Sequence, residues 1–252
     1  MNLQDKANAI GYYVTELLAV GTHTSRAERN VQRISRSWGI EVAMAVFPKN
    51  VILTVTDPES GKIHTSSRNI PVRGISFRIN KELSALSWRT FDNMLSVEQF
   101  LLECEDILSQ KQFSNIYVAP FAALANASFC YLFGGDWTAM FCVFLSTLTG
   151  FTAKIWLHRF SVNDYIAFVA VAMLSSMMSA LSFPLGSGTP DVALATSVLF
   201  LVPGVLLING IIDVVEGHAL MGFSRLIKST LLIISLAIGL AFTLSILQNN
   251  LL

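Results

Sequence analysis

Two kinds of hydrophobic pattern divide the chain. Up to about residue 113, apolar positions alternate with charged ones at helical or strand spacing. Beyond it they merge into long runs that are apolar almost throughout. In the first part, Leu3, Ala7, Ile10, Val14, Leu17 and Leu18 fall near helical spacing and predict a helix over 4–19, ended by Gly21. Thr24 or Ser25 is placed to cap a second helix, with Glu28 as capping-box partner of Ser25. Residues 40–47, 51–56 and 63–67 read as strands, separated by the turn-forming runs Pro48-Lys49-Asn50 and Asp57-Pro58-Glu59-Ser60-Gly61. Helical spacing returns over 78–90 and 96–111.

The second part holds five stretches that meet the requirement of about 20 apolar residues for a membrane span: 115–133, 138–157, 164–183, 193–214 and 227–247. The expected fold is an α-helical multi-pass membrane domain of five transmembrane helices (114–252), preceded by a small cytosolic α/β domain (1–113). Small residues crowd the first span (Ala119, Ala122, Ala123, Ala125, Ala127, Ser128) and the third (Ser175, Ser176, Ser179, Ala180, Ser182). Such faces let helices approach closely in lipid.

Composition supports the division. Of the 252 residues, 53% are hydrophobic and 13% charged, about half the charge content of a soluble protein; the mean hydropathy is +0.56. Thirteen of the seventeen Lys and Arg, and twelve of the seventeen Asp and Glu, precede residue 114. A net charge of zero excludes nucleic acid as a partner, since no basic excess exists to neutralise phosphates. Cys104, Cys130 and Cys142 have neither disulfide nor metal spacing and read as free, small hydrophobes. No nucleophile–base pair, phosphate loop or metal cluster is present, so neither an enzyme nor a cofactor is expected. His23 and His64 stand alone and read as ordinary polar surface residues. Arg26, Arg29, Arg33 and Arg36 share one helix face, which is either solvated or set against an anionic lipid or ligand. Residues 1–25 hold Asp5, Lys6 and Glu16 and lack a continuous apolar core. No cleaved signal is read there, and the first span is expected to act as insertion signal.

The connections between spans alternate in charge. Gly134-Gly135-Asp136-Trp137 and the segment 184–191 carry no Lys or Arg. The other two carry Lys154 with Arg159, and Arg225 with Lys228. The positive-inside rule then places the N-terminus in the cytoplasm and the C-terminus in the periplasm, with Trp137 and Trp156 at the interfaces. An odd number of spans cannot hold two equal inverted halves. A second polypeptide could supply the other half.

The fourth span is unusual. Pro203 lacks the N–H that would bond the carbonyl of Leu199, and lipid cannot satisfy the freed group. Asn209 and Asp213, at i and i+4, share a face. If the helix is straight, Asp213 lies roughly 30 Å from Val192, at the inner interface. A break at Pro203-Gly204 would change that depth and offer free N–H groups to an anion. A packing kink and an interfacial carboxylate remain the plain alternatives.

Three runs resemble the threonine/serine exporter (ThrE) family: Gly21-Thr22-His23-Thr24-Ser25-Arg26-Ala27-Glu28, with Ala27 where a branched apolar residue is expected; Phe133-Gly134-Gly135-Asp136-Trp137; and the segment 197–204 followed by Ile208-Asn209-Gly210, Asp213 and Gly217-His218. The resemblance is to the amino-terminal half, which in many bacteria is a separate subunit of the YjjP type. It implies export of threonine and serine or, in split members, of dicarboxylates such as succinate, with a smaller membrane subunit of four to five spans as partner.

These readings converge on a subunit of an inner-membrane exporter of small carboxylate metabolites, embedded in the bilayer. Pro203, Gly204, Asn209, Gly210 and Asp213 are the expected substrate-binding residues, Asp213 carrying a proton or pairing with a substrate ammonium. Lys154, Arg159, Arg225 and Lys228 lie at expected inner span ends, so none reads as a central cation. The rival reading is a membrane-anchored regulatory or assembly protein whose cytosolic domain does the work.

Overall fold

A computed structural model describes residues 2–110 and 115–251; the expected domain boundary at 113/114 lies outside them. The chain divides into two compact units, Met1–Lys111 with Gly204–Ile227, and Gln112–Pro203 with Lys228–Leu252. The stretch 204–227, read from sequence as membrane span and loop, thus packs with the amino-terminal residues.

In the first unit, helix α1 (Leu3–Ala19) supplies the centre of the core. Ala7, Ile10, Tyr13, Val14 and Leu17 are fully shielded from solvent, each larger side chain contributing about 1.5–3 kcal/mol on burial. Strands β1 (Glu41–Val46), β2 (Asn50–Thr56) and β3 (Ile63–Asn69) form an antiparallel meander in that order. Val51, Leu53 and Val55 alternate along β2 and all point into the core. Helix α2 (Thr24–Ser37) starts one residue beyond its cap, which is His23 and not Thr24 or Ser25. The His23 side chain accepts the N–H of Arg26. Helices α3 (Phe77–Asn93) and α4 (Val97–Ser109) complete the layer, α4 opening on a capping box between Ser96 and Gln99. Tyr13 ties the helices together. Its hydroxyl donates to Leu83 O at 2.8 Å and accepts from Asn30 Nδ2 at 3.1 Å.

The second unit contains α5 (Asn115–Leu132), α6 (Trp137–Arg159) and α7 (Asp164–Ser179), the last extended by a 3₁₀ turn at Ala180–Ser182. The short α8 (Pro190–Thr196) and a second 3₁₀ turn (Leu199–Leu201) follow. The expected fourth span is therefore not one helix. It stops at Val202-Pro203, and helix α9 (Gly204–Val215) begins anew. The last helix, α10 (Ala219–Leu251), starts eight residues before the expected span and absorbs Arg225 and Lys228, which read as loop residues in the sequence. Among the described residues, three helices are long and apolar enough to cross a membrane, or up to four if the broken α8–α9 pair counts as one span; α5 is a shorter apolar helix. Length and composition thus support three to four of the five expected spans, and α5 falls short of the required length.

Burial in this unit is inverted relative to a water-soluble bundle. Phe121, Leu132, Phe141, Ile166, Ile234 and Phe242 face outward, while Ser146, Thr147, Ser175, Ser176, Ser179 and Ser197 are completely buried. An apolar exterior of this extent marks a lipid-facing surface. Trp137 and Trp156, near opposite ends of α6, are exposed as interface aromatics are. The three cysteines are free and buried.

Candidate functional site

Within the first unit, the hairpin of α9 and α10 closes on the turn between α1 and α2. The turn is set by Gly21, whose φ of +94° ends α1 in a conformation that side-chain-bearing residues rarely adopt. A second left-handed glycine, Gly217 (φ +92°), ends α9. There the N–H of His218 returns to Asp213 O at 2.7 Å and that of Gly217 to Val214 O at 3.2 Å, the pairing of a Schellman motif. The two helices then cross closely. A Cβ on Gly222 would sit 2.8 Å from Gly210 O, and one on Gly210 would sit 2.9 Å from Leu226 Cγ. Only glycine at both places allows this approach.

The crossing brings Arg225 onto Asp213. Arg225 Nη1 lies 3.0 Å from Asp213 Oδ2, and Asp213 is wholly shielded from solvent. Three backbone groups of the turn complete the arrangement. The Thr24 N–H donates to Asp213 Oδ1 at 2.7 Å, Arg225 Nη2 donates to Thr22 O at 2.9 Å, and Asn209 Nδ2 donates to Gly21 O at 2.8 Å. A carboxylate buried this deeply must be paired and hydrogen-bonded to remain charged. Arg225 supplies the pairing at Oδ2, and the Thr24 N–H supplies the hydrogen bond at Oδ1. Two hydroxyls of the same turn, Thr22 Oγ1 and Thr24 Oγ1, are enclosed with no hydrogen-bond partner among the described residues.

A half-exposed rim of charges surrounds this centre. Glu216 faces Arg29 at 3.4 Å and His23 Nδ1 at 3.5 Å, and His218 Nε2 reaches Glu28 at 3.2 Å. Burial lowers the His23 pKa and outweighs the opposing pull of Glu216. Neutral His23 keeps a ring nitrogen free to accept, which its capping role requires.

The second unit has its own clasp. Asp136 caps α6 by accepting from Ala139 N–H at 2.7 Å. It also takes bonds from the Gly188 N–H at 2.6 Å and from Ser187 Oγ at 2.9 and 3.0 Å. These bonds, the Ala139 N–H first, hold its carboxyl below the usual range. Deeper in, Asn126 Nδ2 bridges Thr147 Oγ1 (2.7 Å) and Thr196 O (3.0 Å). Ser175, Ser179 and Ser182 each bury a hydroxyl with no hydrogen-bond partner among the described residues.

Of the five residues expected to bind substrate, Asn209, Gly210 and Asp213 are brought together on α9. Gly204 opens the same helix, and Pro203 is the last residue of its stretch in the second unit. Thr22, His23, Thr24, Glu216, His218 and Arg225 join the site without having been expected there. Arg225 differs most from the reading of its sequence, since it is buried against a carboxylate and not placed at an open helix end.

Long apolar helices that turn aromatic and aliphatic side chains outward and hydroxyls inward mark a multi-pass membrane protein. The chain belongs to the ThrE family, described as "Putative threonine/serine exporter", whose model matches residues 14–247. A protein of Klebsiella aerogenes named "Probable succinate transporter subunit YjjP" is 29% identical over 240 residues, covering 91% of this chain and 89% of the relative. The protein of that name in Escherichia coli (strain K12) is 28% identical over 240 residues, covering 91% and 90%. No solved structure matches the chain.

Proposed function

We propose that the chain is the larger subunit of an inner-membrane exporter of small carboxylate metabolites. The substrates would be threonine- and serine-type amino acids or dicarboxylates such as succinate. Its partner would be a smaller membrane subunit of four to five spans; the word "subunit" in both relatives' names supports a partner as such. The observation that carries this reading is the Asp213–Arg225 pair, buried in the helical hairpin that follows the Pro203-Gly204 break. An ion pair of this kind can trade partners. Arg225 takes the substrate carboxylate while Asp213 takes a substrate ammonium or a proton, so that neither charge is left alone.

The remaining expected residues have roles in the same proposal. Pro203 ends one helix, and the N-terminal end of α9 at Gly204 attracts a second anionic group. Gly210 admits α10 closely enough for Arg225 to reach Asp213. Asn209, whose Nδ2 holds Gly21 O, meets the substrate through its amide oxygen. The chain crosses the inner membrane five times, α5 and the broken α8–α9 pair included. Its N-terminus is then cytoplasmic and its C-terminus periplasmic.

Cells lacking the native transporter, supplied with this chain and the smaller subunit, provide the test. Efflux of threonine, serine and succinate is followed, together with the amount of protein in the membrane. The Asp213→Asn, Arg225→Met double variant, which leaves no buried charge stranded, is expected to insert at normal levels and to lose export. Undiminished export from that variant would sink the coupling role of Asp213.

A further inference from the structure

A cleft between α2 and α3, of about 430 Å³, opens in the first unit. That is within the range of roughly 300–1,000 Å³ typical of small-molecule sites. Arg26, Arg29, Arg33 and Lys81 line it, and no acidic residue does. The basic helix face noted in the sequence thus splits in two. Three of its arginines turn to this cleft, and Arg36 does not line it.

Three features narrow what the cleft can hold. First, four cations with no lining carboxylate call for an anion rich in acceptors, and guanidinium groups match phosphate best. Second, the Arg33 guanidinium lies 3.6 Å above the centre of the Trp88 ring, fixed there by bonds from its Nη1 to Ser87 Oγ (2.6 Å) and Asn30 Oδ1 (3.1 Å). The pair lines one side of the cleft, and Trp88 is half exposed there. Third, Asn80 lines the same cleft, is 7% exposed, and encloses an Oδ1 that has no hydrogen-bond partner among the described residues. A buried acceptor without a donor is costly. Phosphate carries only acceptors and cannot relieve it. A ligand that satisfies all three features carries phosphate, a planar ring, and an N–H donor on that ring.

We propose that the α2–α3 cleft binds a nucleotide. Its phosphate lies among Arg26, Arg29 and Lys81, its base lies against the Arg33–Trp88 stack, and a base N–H donates to Asn80 Oδ1. Arg29 also faces Glu216 at 3.4 Å, so a bound phosphate competes with that carboxylate for the same guanidinium. The site is separate from the Asp213–Arg225 pair, and its occupancy is independent of which metabolite is exported.

The full-length protein, in lipid nanodiscs, is titrated calorimetrically with AMP, GMP, CMP and UMP in turn. Inorganic phosphate, adenosine and dihexanoyl phosphatidylglycerol are the comparison probes. At least one nucleotide is expected to bind at least about tenfold more tightly than inorganic phosphate. Lys81→Gln and Arg26→Gln, both surface changes, are each expected to weaken it about tenfold. Asn80→Leu, which removes the acceptor for the base N–H, is expected to weaken nucleotide binding and to leave inorganic phosphate binding unchanged. Equal affinity for phosphate or the short-chain lipid, no binding by any nucleotide, or unchanged binding in the Lys81 and Arg26 variants would overturn the proposal.

Discussion

Asp213 and Arg225 stand twelve residues apart, on opposite arms of one helical hairpin, and meet at 3.0 Å out of reach of solvent. Removing one member of such a pair strands the other, which costs about 3–5 kcal/mol, whereas removing both can be close to neutral. Arg225→Met alone is therefore expected to lower the unfolding midpoint in detergent markedly. Adding Asp213→Asn to it should recover most of the loss. The four proteins of this double-mutant cycle, compared by thermal unfolding, give the coupling directly.

The α9–α10 crossing depends on two missing side chains. Gly222→Ala drives a Cβ to within 2.8 Å of Gly210 O and of Val214 N, an overpacking expected to cost about 1–3 kcal/mol. Gly74, where an added Cβ meets nothing within 4 Å, is the matched control, and its alanine variant should be near neutral. Comparable losses at both positions in chemical denaturation would refute the close-crossing argument.

His23 makes the first unit acid-sensitive. Its pKa is lowered by burial, so the folded state favours the neutral ring. Its contribution is present above the ordinary histidine value of about 6.5, and it is lost as the pH falls below that toward the folded value. The same protonation removes the acceptor that caps α2. Stability is expected to drop between pH 7 and 5, and His23→Asn, a cap that does not titrate, should flatten that part of the profile. A His23→Asn profile as steep as that of the parent would place the acid sensitivity elsewhere.

The Asp136 clasp should behave in the opposite chemical sense but with the same direction in pH. Its carboxyl is held low by donated N–H bonds, that of Ala139 first. Its contribution therefore persists above the usual carboxylate range and fails only in strong acid. Asp136→Ala removes the α6 cap and frees Ser187 and Gly188 together. Limited proteolysis within 184–189 is the sensitive readout, and the variant should be cut several times faster than the parent.

Much of the scaffold was legible because it is periodic. The apolar rhythm of α1, the alternation in β2 and the shared face of Asn209 and Asp213 all follow from helix or strand geometry. Pro203-Gly204 gave away the break in the fourth span. The partners of that span were illegible for a physical reason. Gly21 O, Thr22 O and Thr24 N are backbone atoms, and any sequence possesses them. Nothing in the residue types 21–24 says that an amide, a guanidinium and a carboxylate will arrive from 209–225. The start of α10 is illegible because Arg225, taken as a free charge, reads as a helix end. Paired with Asp213, it can lie inside a helix that its isolated charge would have ended. His23 stands alone in the sequence because its cap is made to a backbone N–H, which no residue type announces.

The bond from Thr24 to Asp213 joins residues 189 positions apart. On a ribosome adding about 5–20 residues each second, that distance is a wait of roughly 10–40 s. Throughout it the α1–α2 turn has been made and its closing hairpin has not. The amino-terminal unit therefore cannot finish before the membrane helices that interrupt it have been synthesised and handed to the insertion machinery. Closure of the turn is in effect a receipt for synthesis past Arg225. A chain stalled before residue 209 would display the unclaimed carbonyls of Gly21 and Thr22 to whatever surveys unfinished membrane proteins.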